Sequence, residues 1–317
     1  MSIFMTDIWR TGIVEASPGQ ILDAGTLDPF VVRWLSEERP LCFLADPFGL
    51  RQDGFLYLFA EYYDYRTKRG VIRLDVLDPE YRVVESGIVL SRPWHLSYPV
   101  VFRAEGEIWM LPEAYKSGSL TLYRAVSFPW RWEEVPEFRF PCAAIDASPL
   151  YADRAWWMFY TPPFPKEGRT DTLHIARAET LTGVWRDVCA GPVRRDRSGS
   201  RMGGLPFLSG GRVILPVQDC SATYGGGIRF LETALPVAGE VPEFRAGGLL
   251  RPPASAAPYV QGLHTLSGVC GEGGAGAPEG AWNGTGDVTL IDAKYIGRNW
   301  PRRLAADVRY RLGLFSG

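Results

Sequence analysis

The chain has 317 residues, 46% of them hydrophobic, so it can bury a large core in one domain or two. Its 34 basic and 36 acidic residues nearly balance, so there is no overall basic field that would suggest nucleic acid or an anionic membrane as a partner. The five cysteines are widely spaced and form no Cys/His cluster, which argues against a disulfide framework or a zinc site. The composition therefore predicts a protein of a reducing, cytoplasmic compartment without nucleic-acid partners.

The N-terminal stretch MSIFMTDIWR contains Asp7 and Arg10 where a signal peptide needs an unbroken apolar run, so no secretory leader is expected. No window approaches the roughly eighteen apolar residues of a membrane-spanning helix, and we expect no membrane insertion.

A unit of two short strands then recurs five times. Each unit combines an apolar strand that begins near an anchor residue, a tight turn and a second alternating strand. The predicted hairpins lie near 45–61, 97–113, 147–161, 204–219 and 262–294. Their anchors are 52, 50, 57 and 58 positions apart and are Pro47, Pro99, Pro149, Pro206 and His264.

A period near 50 residues gives room for four strands per unit, which is typical of a β-propeller blade. The sequence therefore predicts an all-β fold, a single five-bladed β-propeller over residues 1–317. An unpaired edge would favour aggregation, so a terminal strand should complete the last blade, either DIWRTGIVEA (7–16) or DVRYRLGLF (307–315). The Gly-rich stretch 271–286 is interpreted as a flexible insertion in the fifth blade.

Long helical patterns are rare in this chain. The best helical candidate is a turn or two near PRRLAADVRY, residues 301–310. The basic cluster RNWPRRL (298–304), which overlaps it, is interpreted as solvated loop charge.

The start of the first strand and the end of the second strand of each hairpin should share one end of the central channel, because the second strand returns antiparallel. Carboxylates that converge there with one arginine would perturb one another's pKa values. Acidic acceptors beside aromatic side chains suit a saccharide, so carbohydrate is the predicted ligand class. The candidate pocket residues are Asp46, Glu61, His95, Tyr98, Glu113, Asp146, Arg201, Asp219 and His264.

Asp46 directly precedes its anchor proline in CFLADPFGL. Aligned on the anchors, its counterparts in the other units are Tyr98, Ser148, Leu205 and Leu263. The alignment predicts that the carboxylate is particular to the first blade. A turn-capping role for this Asp-Pro pair is the simpler alternative.

At these residues the sequence resembles the five-bladed glycoside hydrolases of family 43. The resemblance implies that Asp46 in ADPF is a general base and that Asp146 in IDASPLY tunes pKa and orientation. Gly204 in SRMGGLPF stands where that family has its general-acid glutamate. Glu113, or alternatively Glu61, is therefore the candidate acid of an inverting hydrolase.

A wider resemblance covers nearly the whole chain. Stretches such as FLADPFGL, HLSYPVVF, WMLPEAY and GLHTLSG are similar to the N-terminal domain of glucosamine inositolphosphorylceramide transferases. This resemblance implies a role in surface-polysaccharide or glycolipid metabolism, without transferase chemistry, which a separate domain performs in the plant proteins.

Two functions stay open on this basis. One is a propeller that hydrolyses or remodels a saccharide. The other is a non-catalytic carbohydrate-binding module, a hydrolase fold without its general acid, that assists a glycan biosynthetic enzyme. Both expect a carbohydrate or glycolipid ligand, and neither calls for a cofactor or a metal.

Overall fold

A computed structural model of the chain describes residues 5–235, 237, 239–269, 271, 286–297 and 300–313. Most of the stretch interpreted as an insertion, residues 272–285, lies outside the described residues. The strands form five antiparallel sheets, each of which is one blade. This architecture confirms the predicted five-bladed propeller.

The elements are numbered in chain order. Before the first blade lie β1 (Thr6–Val14), α1 (Pro18–Ala24) and β2 (Val32–Trp34). The first blade contains β3 (Cys42–Gln52), β4 (Phe55–Asp64), β5 (Arg69–Leu77) and β6 (Val83–Leu90). The second blade contains β7 (Ser97–Ala104), β8 (Glu107–Glu113), β9 (Tyr123–Ser127) and β10 (Arg131–Glu134).

The third blade contains β11 (Ile145–Ala152), β12 (Ala155–Thr161), β13 (Thr172–Ala178), β14 (Arg186–Asp187) and β15 (Arg194–Arg195). The fourth contains β16 (Arg201–Met202), β17 (Phe207–Ser209), β18 (Arg212–Gln218), β19 (Ile228–Thr233) and β20 (Arg245–Leu250). The fifth contains β21 (Leu266–Gly268) and β22 (Thr289–Gly297), and helix α2 (Trp300–Arg311) follows it.

The N-terminal strand closes the fifth blade. β1 pairs antiparallel with β22 along its whole length, from Thr6 opposite Gly297 to Val14 opposite Thr289. The sheet order is β2-β1-β22-β21, so the predicted closure by residues 7–16 is confirmed. Closure by residues 307–315 is wrong, because β1 already occupies the free edge of β22 and α2 contains residues 307–311. The turn or two of helix expected near 301–310 is a longer helix, the 12 residues of α2. Neither helix of the described residues has the length and apolar composition that crossing a bilayer requires.

The core fills the spaces between adjacent blades, where inward-facing apolar side chains of one sheet pack on the next. Between the first two blades it includes Phe48, Phe59, Val100 and Met110, each fully buried. Such interdigitated packing holds the inner strands rigidly, so side chains at their ends have fixed positions.

A β-bulge interrupts the first strand of each of the first three blades at the same place. The pairing with the second strand shifts register within 45–48, 97–100 and 145–148. In each bulge one residue has positive φ, namely Asp46 at 49°, Tyr98 at 46° and Asp146 at 47°. The structural counterpart of Asp46 in the third blade is therefore Asp146.

This equivalence corrects the alignment on anchor prolines, which paired Asp46 with Ser148. Two residues separate Asp146 from Pro149, whereas Asp46 directly precedes its proline, so aligning the prolines displaced the third blade by two positions. The prediction that the carboxylate is particular to the first blade is wrong, since the third blade repeats it.

Candidate functional site

The bulges determine where the first strands place their side chains. A positive φ is costly for residues other than glycine and persists where surrounding structure enforces it, often at functional sites. A bulge also turns a side chain away from the regular alternation of the strand. Asp46 and Asp146 are nearly fully buried carboxylates produced in this way.

Asp46 connects the first blade to both of its neighbours. Its Oδ2 accepts a hydrogen bond from the backbone N–H of Tyr98 at 3.2 Å, and its Oδ1 accepts one from the Thr265 hydroxyl at 2.9 Å. Burial raises its pKa to about 6, helped by nearby Asp292 and Asp146 and opposed by His264. A carboxyl with this pKa is mostly ionised at neutral pH but gains a proton easily.

Asp292, on the inner part of β22, organises the fifth-blade side of the site. Its carboxylate accepts hydrogen bonds from the backbone N–H groups of Asp46, His264 and Thr265 at 3.0–3.1 Å. His264 Nδ1 lies 2.6 Å from Asp292 Oδ2, and His264 Nε2 lies 3.6 Å from Asp46 Oδ1. Burial alone would lower the pKa of His264, but these carboxylates outweigh it and the pKa is raised.

The predicted hairpin near 262–294 includes Asp292, but this residue was not among the predicted site residues. The available signal was a carboxylate that directly follows the apolar pair Leu290 and Ile291 in the buried stretch VTLIDAK. Two aromatic side chains beside His264 were also missed. The Trp9 ring stacks on the imidazole at 3.7 Å between centroids, and the half-buried Tyr224 ring meets it edge-on at 5.4 Å.

Asp146 is held by a bidentate pair with Arg201. The guanidinium donates from Nε to Oδ2 at 2.6 Å and from its terminal nitrogen to Oδ1 at 3.2 Å. The Gln218 amide adds a third hydrogen bond to Oδ2 at 2.9 Å. Tyr98 supports the same region, since its hydroxyl lies 2.9 Å from Ser148, whose own hydroxyl donates to the Asp146 carbonyl. Tyr98 itself is 1% exposed.

Glu113 is the last residue of β8, as predicted from the hairpin geometry, whereas Glu61 lies within β4, opposite Ala45 and three residues before the strand ends. Glu113 accepts hydrogen bonds from the Tyr115 backbone N–H at 3.1 Å and the Ser97 hydroxyl at 3.3 Å. Burial raises its pKa to about 7, and the Asp146 carboxylate adds to this effect. This carboxyl is therefore about half protonated at neutral pH.

Glu61 lies beside His95. The His95 Nδ1 accepts a hydrogen bond from the Gly70 backbone N–H at 2.9 Å, and its Nε2 lies 3.4 Å from Glu61. Burial lowers the pKa of His95 to about 4, so the ring is neutral at pH 7. Burial also raises the pKa of Glu61 well above its usual value, and the charges of Asp46 and Glu113 raise it further.

Asp219 has a different environment from the other predicted acids. Its carboxylate binds the Arg229 guanidinium at 2.9 Å and accepts hydrogen bonds from the backbone N–H and hydroxyl of Ser221. These contacts outweigh burial and lower its pKa. Both oxygens of Asp219 are thus engaged within the fourth blade.

The position expected for a general-acid glutamate is closed. A Cβ on Gly204 would stand 1.9 Å from the carbonyl oxygen of Leu266 in the fifth blade. No side chain fits at this position unless the backbone of one blade moves. The chain therefore lacks the space for a glutamate there, as well as the residue.

Asp46, His264 and Asp292 could ligate a cation, because they place one donor atom each within 4.8 Å of one another. Such binding would require His264 to release its proton. While protonated, the imidazolium itself balances the two carboxylates.

The fold is a five-bladed β-propeller that resembles those of solved glycoside hydrolases. The chain is similar to the catalytic domain of the Coprinopsis cinerea GH62 α-L-arabinofuranosidase, with a TM-score of 0.58 at 10% identity, covering 90% of this chain and 97% of that one. It is also similar to the GH43_1 enzyme from Xanthomonas citri complexed with xylose, with a TM-score of 0.51 at 17% identity, covering 71% and 78%. These likenesses establish the fold.

The family is shown by the sequence match. The family described as glucosamine inositolphosphorylceramide transferase 1, N-terminal, matches residues 32–242, and the chain belongs to it. The protein named glucosamine inositolphosphorylceramide transferase 1 of Oryza sativa subsp. indica is 38% identical over 191 residues, which are 59% of this chain. The protein of the same name from Arabidopsis thaliana is 34% identical over 197 residues, which are 60% of this chain. In both cases the match spans 25% of the relative's length.

Proposed function

We propose that this propeller binds a saccharide at the channel end formed by Asp46, Glu61, Glu113, Asp146 and His264, and that it does not cleave the saccharide. The observation that carries the proposal is the closed position at Gly204, where a Cβ would lie 1.9 Å from Leu266. A hydrolase of this type needs a proton donor opposite its base, and losing general-acid assistance lowers rates by about 10²–10⁴-fold. Recognition needs only acceptors and a shaped surface.

The chemistry of the site supports an amino sugar as the ligand. Asp46, Glu61, Glu113, Asp146 and Asp292 supply five buried carboxyl groups, whereas the buried cations near them are Arg201, Lys294 and protonated His264. Burial raises the pKa values of Glu61 and Glu113, and a bound ammonium group would favour the ionised forms of these two carboxyl groups. Sugar hydroxyls find acceptors in the same groups.

The names of the related plant proteins agree with this ligand class. Those proteins are named for a transfer of glucosamine to inositolphosphorylceramide, and the present chain matches a quarter of their length. We therefore propose a glucosamine-containing glycolipid or polysaccharide as the natural ligand, with a glycan biosynthetic enzyme as the partner that acts on it.

Hydrolysis is the second candidate function, and one observation favours it. Glu113 has a pKa of about 7 and Asp46 a pKa of about 6, so one carboxyl can be protonated while the other is ionised. Glu113 would then donate the proton to the leaving group and Asp46 would activate water, with Asp146 orienting the site. Glu61, whose pKa is also raised, is the alternative donor.

Calorimetric titration and a reducing-end assay test the proposal. We expect glucosamine to bind wild-type protein at pH 7 at least about tenfold more tightly than N-acetylglucosamine, which has no ammonium group. Asp46→Asn and Glu113→Gln should weaken glucosamine binding, whereas Glu232→Gln, a surface change in the fourth blade, should not. Incubation with glucosamine-containing oligosaccharides should release no reducing ends. Release of reducing ends by wild type but not by Asp46→Asn would show that the protein is a hydrolase. Absence of binding to both sugars would refute the proposed ligand class.

A further inference from the structure

Helix α2 packs on the end of the propeller that carries the site. Its Ala306 is buried in one apolar cluster with Ala45, which precedes Asp46, and with Tyr65, which follows the end of β4. The Arg303 guanidinium lies 4.0 Å from the centroid of the Tyr65 ring. The inner face of α2 is therefore fixed to residues that adjoin the candidate pocket.

Polar contacts fix the same inner face. Asp307 forms an ion pair with Lys68 at 2.9 Å, and the Lys68 ammonium lies 4.7 Å from the Tyr310 ring centroid. Arg303 also pairs with Asp307 along the helix at 3.3 Å. Most of the helix's contacts with the propeller are thus charged or aromatic.

The outer face of α2 is apolar and open to solvent. Leu304, Val308 and Leu312 are spaced by four residues, so they form one stripe, and they are 52%, 48% and 66% exposed. The helical geometry extends to Leu312, whose N–H donates to the Val308 carbonyl at 3.0 Å. A surface helix normally turns its apolar stripe inward and its charges outward. In α2 this orientation is reversed.

Three arginines flank the stripe. Arg302 and Arg309 lie on one side of it and Arg311 on the other, by the 100° advance per residue of an α-helix. All three are exposed, and within the described residues none of them forms an ion pair. The stripe and the arginines together make a surface that we call the α2 face.

We propose that the α2 face docks on the surface of an anionic lipid bilayer. An apolar stripe flanked by arginines is the pattern of helices that lie in the interface of anionic membranes, with the apolar side chains in the acyl boundary and the cations at the headgroups. Pairing of the α2 face with a second copy of the chain would bring its arginines near one another. Because α2 lies at the site end of the propeller, docking brings the candidate pocket to the membrane surface. The inference does not depend on which ligand the pocket binds.

Vesicle co-sedimentation tests this inference. We expect wild-type protein to sediment with vesicles of phosphatidylcholine and phosphatidylserine in equal amounts, to bind far less to phosphatidylcholine alone, and to be released by added salt. The double variant Leu304→Asn/Val308→Asn should lower the partition coefficient by about tenfold or more, because it removes the apolar part of the contact. Arg309→Gln/Arg311→Gln should lower it on anionic vesicles.

The matched control is Val184→Asn, since Val184 is 66% exposed in the third blade. It should sediment like wild type, and all variants should melt within a few degrees of wild type because the replaced side chains are exposed. Equal sedimentation of wild type and the Leu304/Val308 variant would overturn the inference, as would equal binding to neutral vesicles. If wild-type protein were a dimer in solution and the Leu304/Val308 variant a monomer, the α2 face would be a dimer interface instead.

Discussion

His264 and Asp292 form a buried ion pair, with Nδ1 2.6 Å from Oδ2 and both side chains almost inaccessible to solvent. Both residues belong to the fifth blade, and Asp292 also accepts a hydrogen bond from the backbone N–H of Asp46 in the first blade. Because β22 is joined to the N-terminal strand, this contact links the closure of the propeller to the geometry of the site.

Breaking this pair should destabilise the fold. His264→Gln leaves Asp292 buried without its counter-ion, so we expect the free energy of unfolding to fall by about 3 kcal/mol. Asp292→Asn should cost a similar amount. The double variant should lose much less than the sum of the two, because neither charge remains unpaired. Urea denaturation of wild type, the two single variants and the double variant measures these free energies. Strictly additive losses would show that His264 and Asp292 do not stabilise each other.

Stability should fall as the pH rises toward neutrality. Glu113 has a pKa of about 7 in the folded protein against 4.5 in the unfolded chain, so between these values the folded state binds more protons. Asp46, with a pKa of about 6, acts in the same direction. The stabilisation that these protonated carboxyl groups contribute is present at low pH. It is lost as the pH rises through their pKa values in the folded protein.

The variant Glu113→Gln isolates the contribution of Glu113 to the pH dependence of stability. The variant cannot ionise there, so its stability relative to wild type should improve by up to about 3 kcal/mol between pH 4 and 8. Chemical denaturation across that pH range measures the change. Glu232→Gln at the surface is the control, and a Glu113→Gln curve parallel to wild type would show that burial does not hold the proton on Glu113.

The closed position at Gly204 predicts intolerance of any side chain. Gly204→Ala should lower the free energy of unfolding by about 3 kcal/mol or more, because its Cβ would overlap the Leu266 carbonyl. Gly248→Ala in the same blade is the control, since nothing lies within 4 Å of a Cβ there. Equal melting temperatures for the two variants would mean that the fourth blade yields readily, and a glutamate could then be accommodated.

The repeat was predictable because a propeller blade repeats its turn and strand chemistry at a nearly constant spacing. Closure by residues 7–16 was predictable too, because β22 needs a partner and an alternating strand was available at the N-terminus. The same reasoning could not choose between the two termini, because strand and helix patterns overlap in residues 307–311.

The details of the site were less accessible to sequence. Because of the third-blade bulge, the residue equivalent to Asp46 is Asp146 rather than Ser148. The hydrophobic pattern of the sequence did not reveal this bulge. Asp219 and Glu113 occupy matching ends of second strands, but Arg229 on a neighbouring strand engages Asp219. Such side-chain pairings depend on cross-strand register, which an unaligned sequence does not specify.

Saturation-transfer NMR of the methyl glycoside of glucosamine with the wild-type protein at pH 7 tests the central claim most directly. We predict that saturation reaches the ring protons of the sugar, that it is lost in Asp46→Asn, and that the glycoside stays intact. Absence of transfer with wild type, or the appearance of anomeric signals from free glucosamine, would contradict recognition without cleavage.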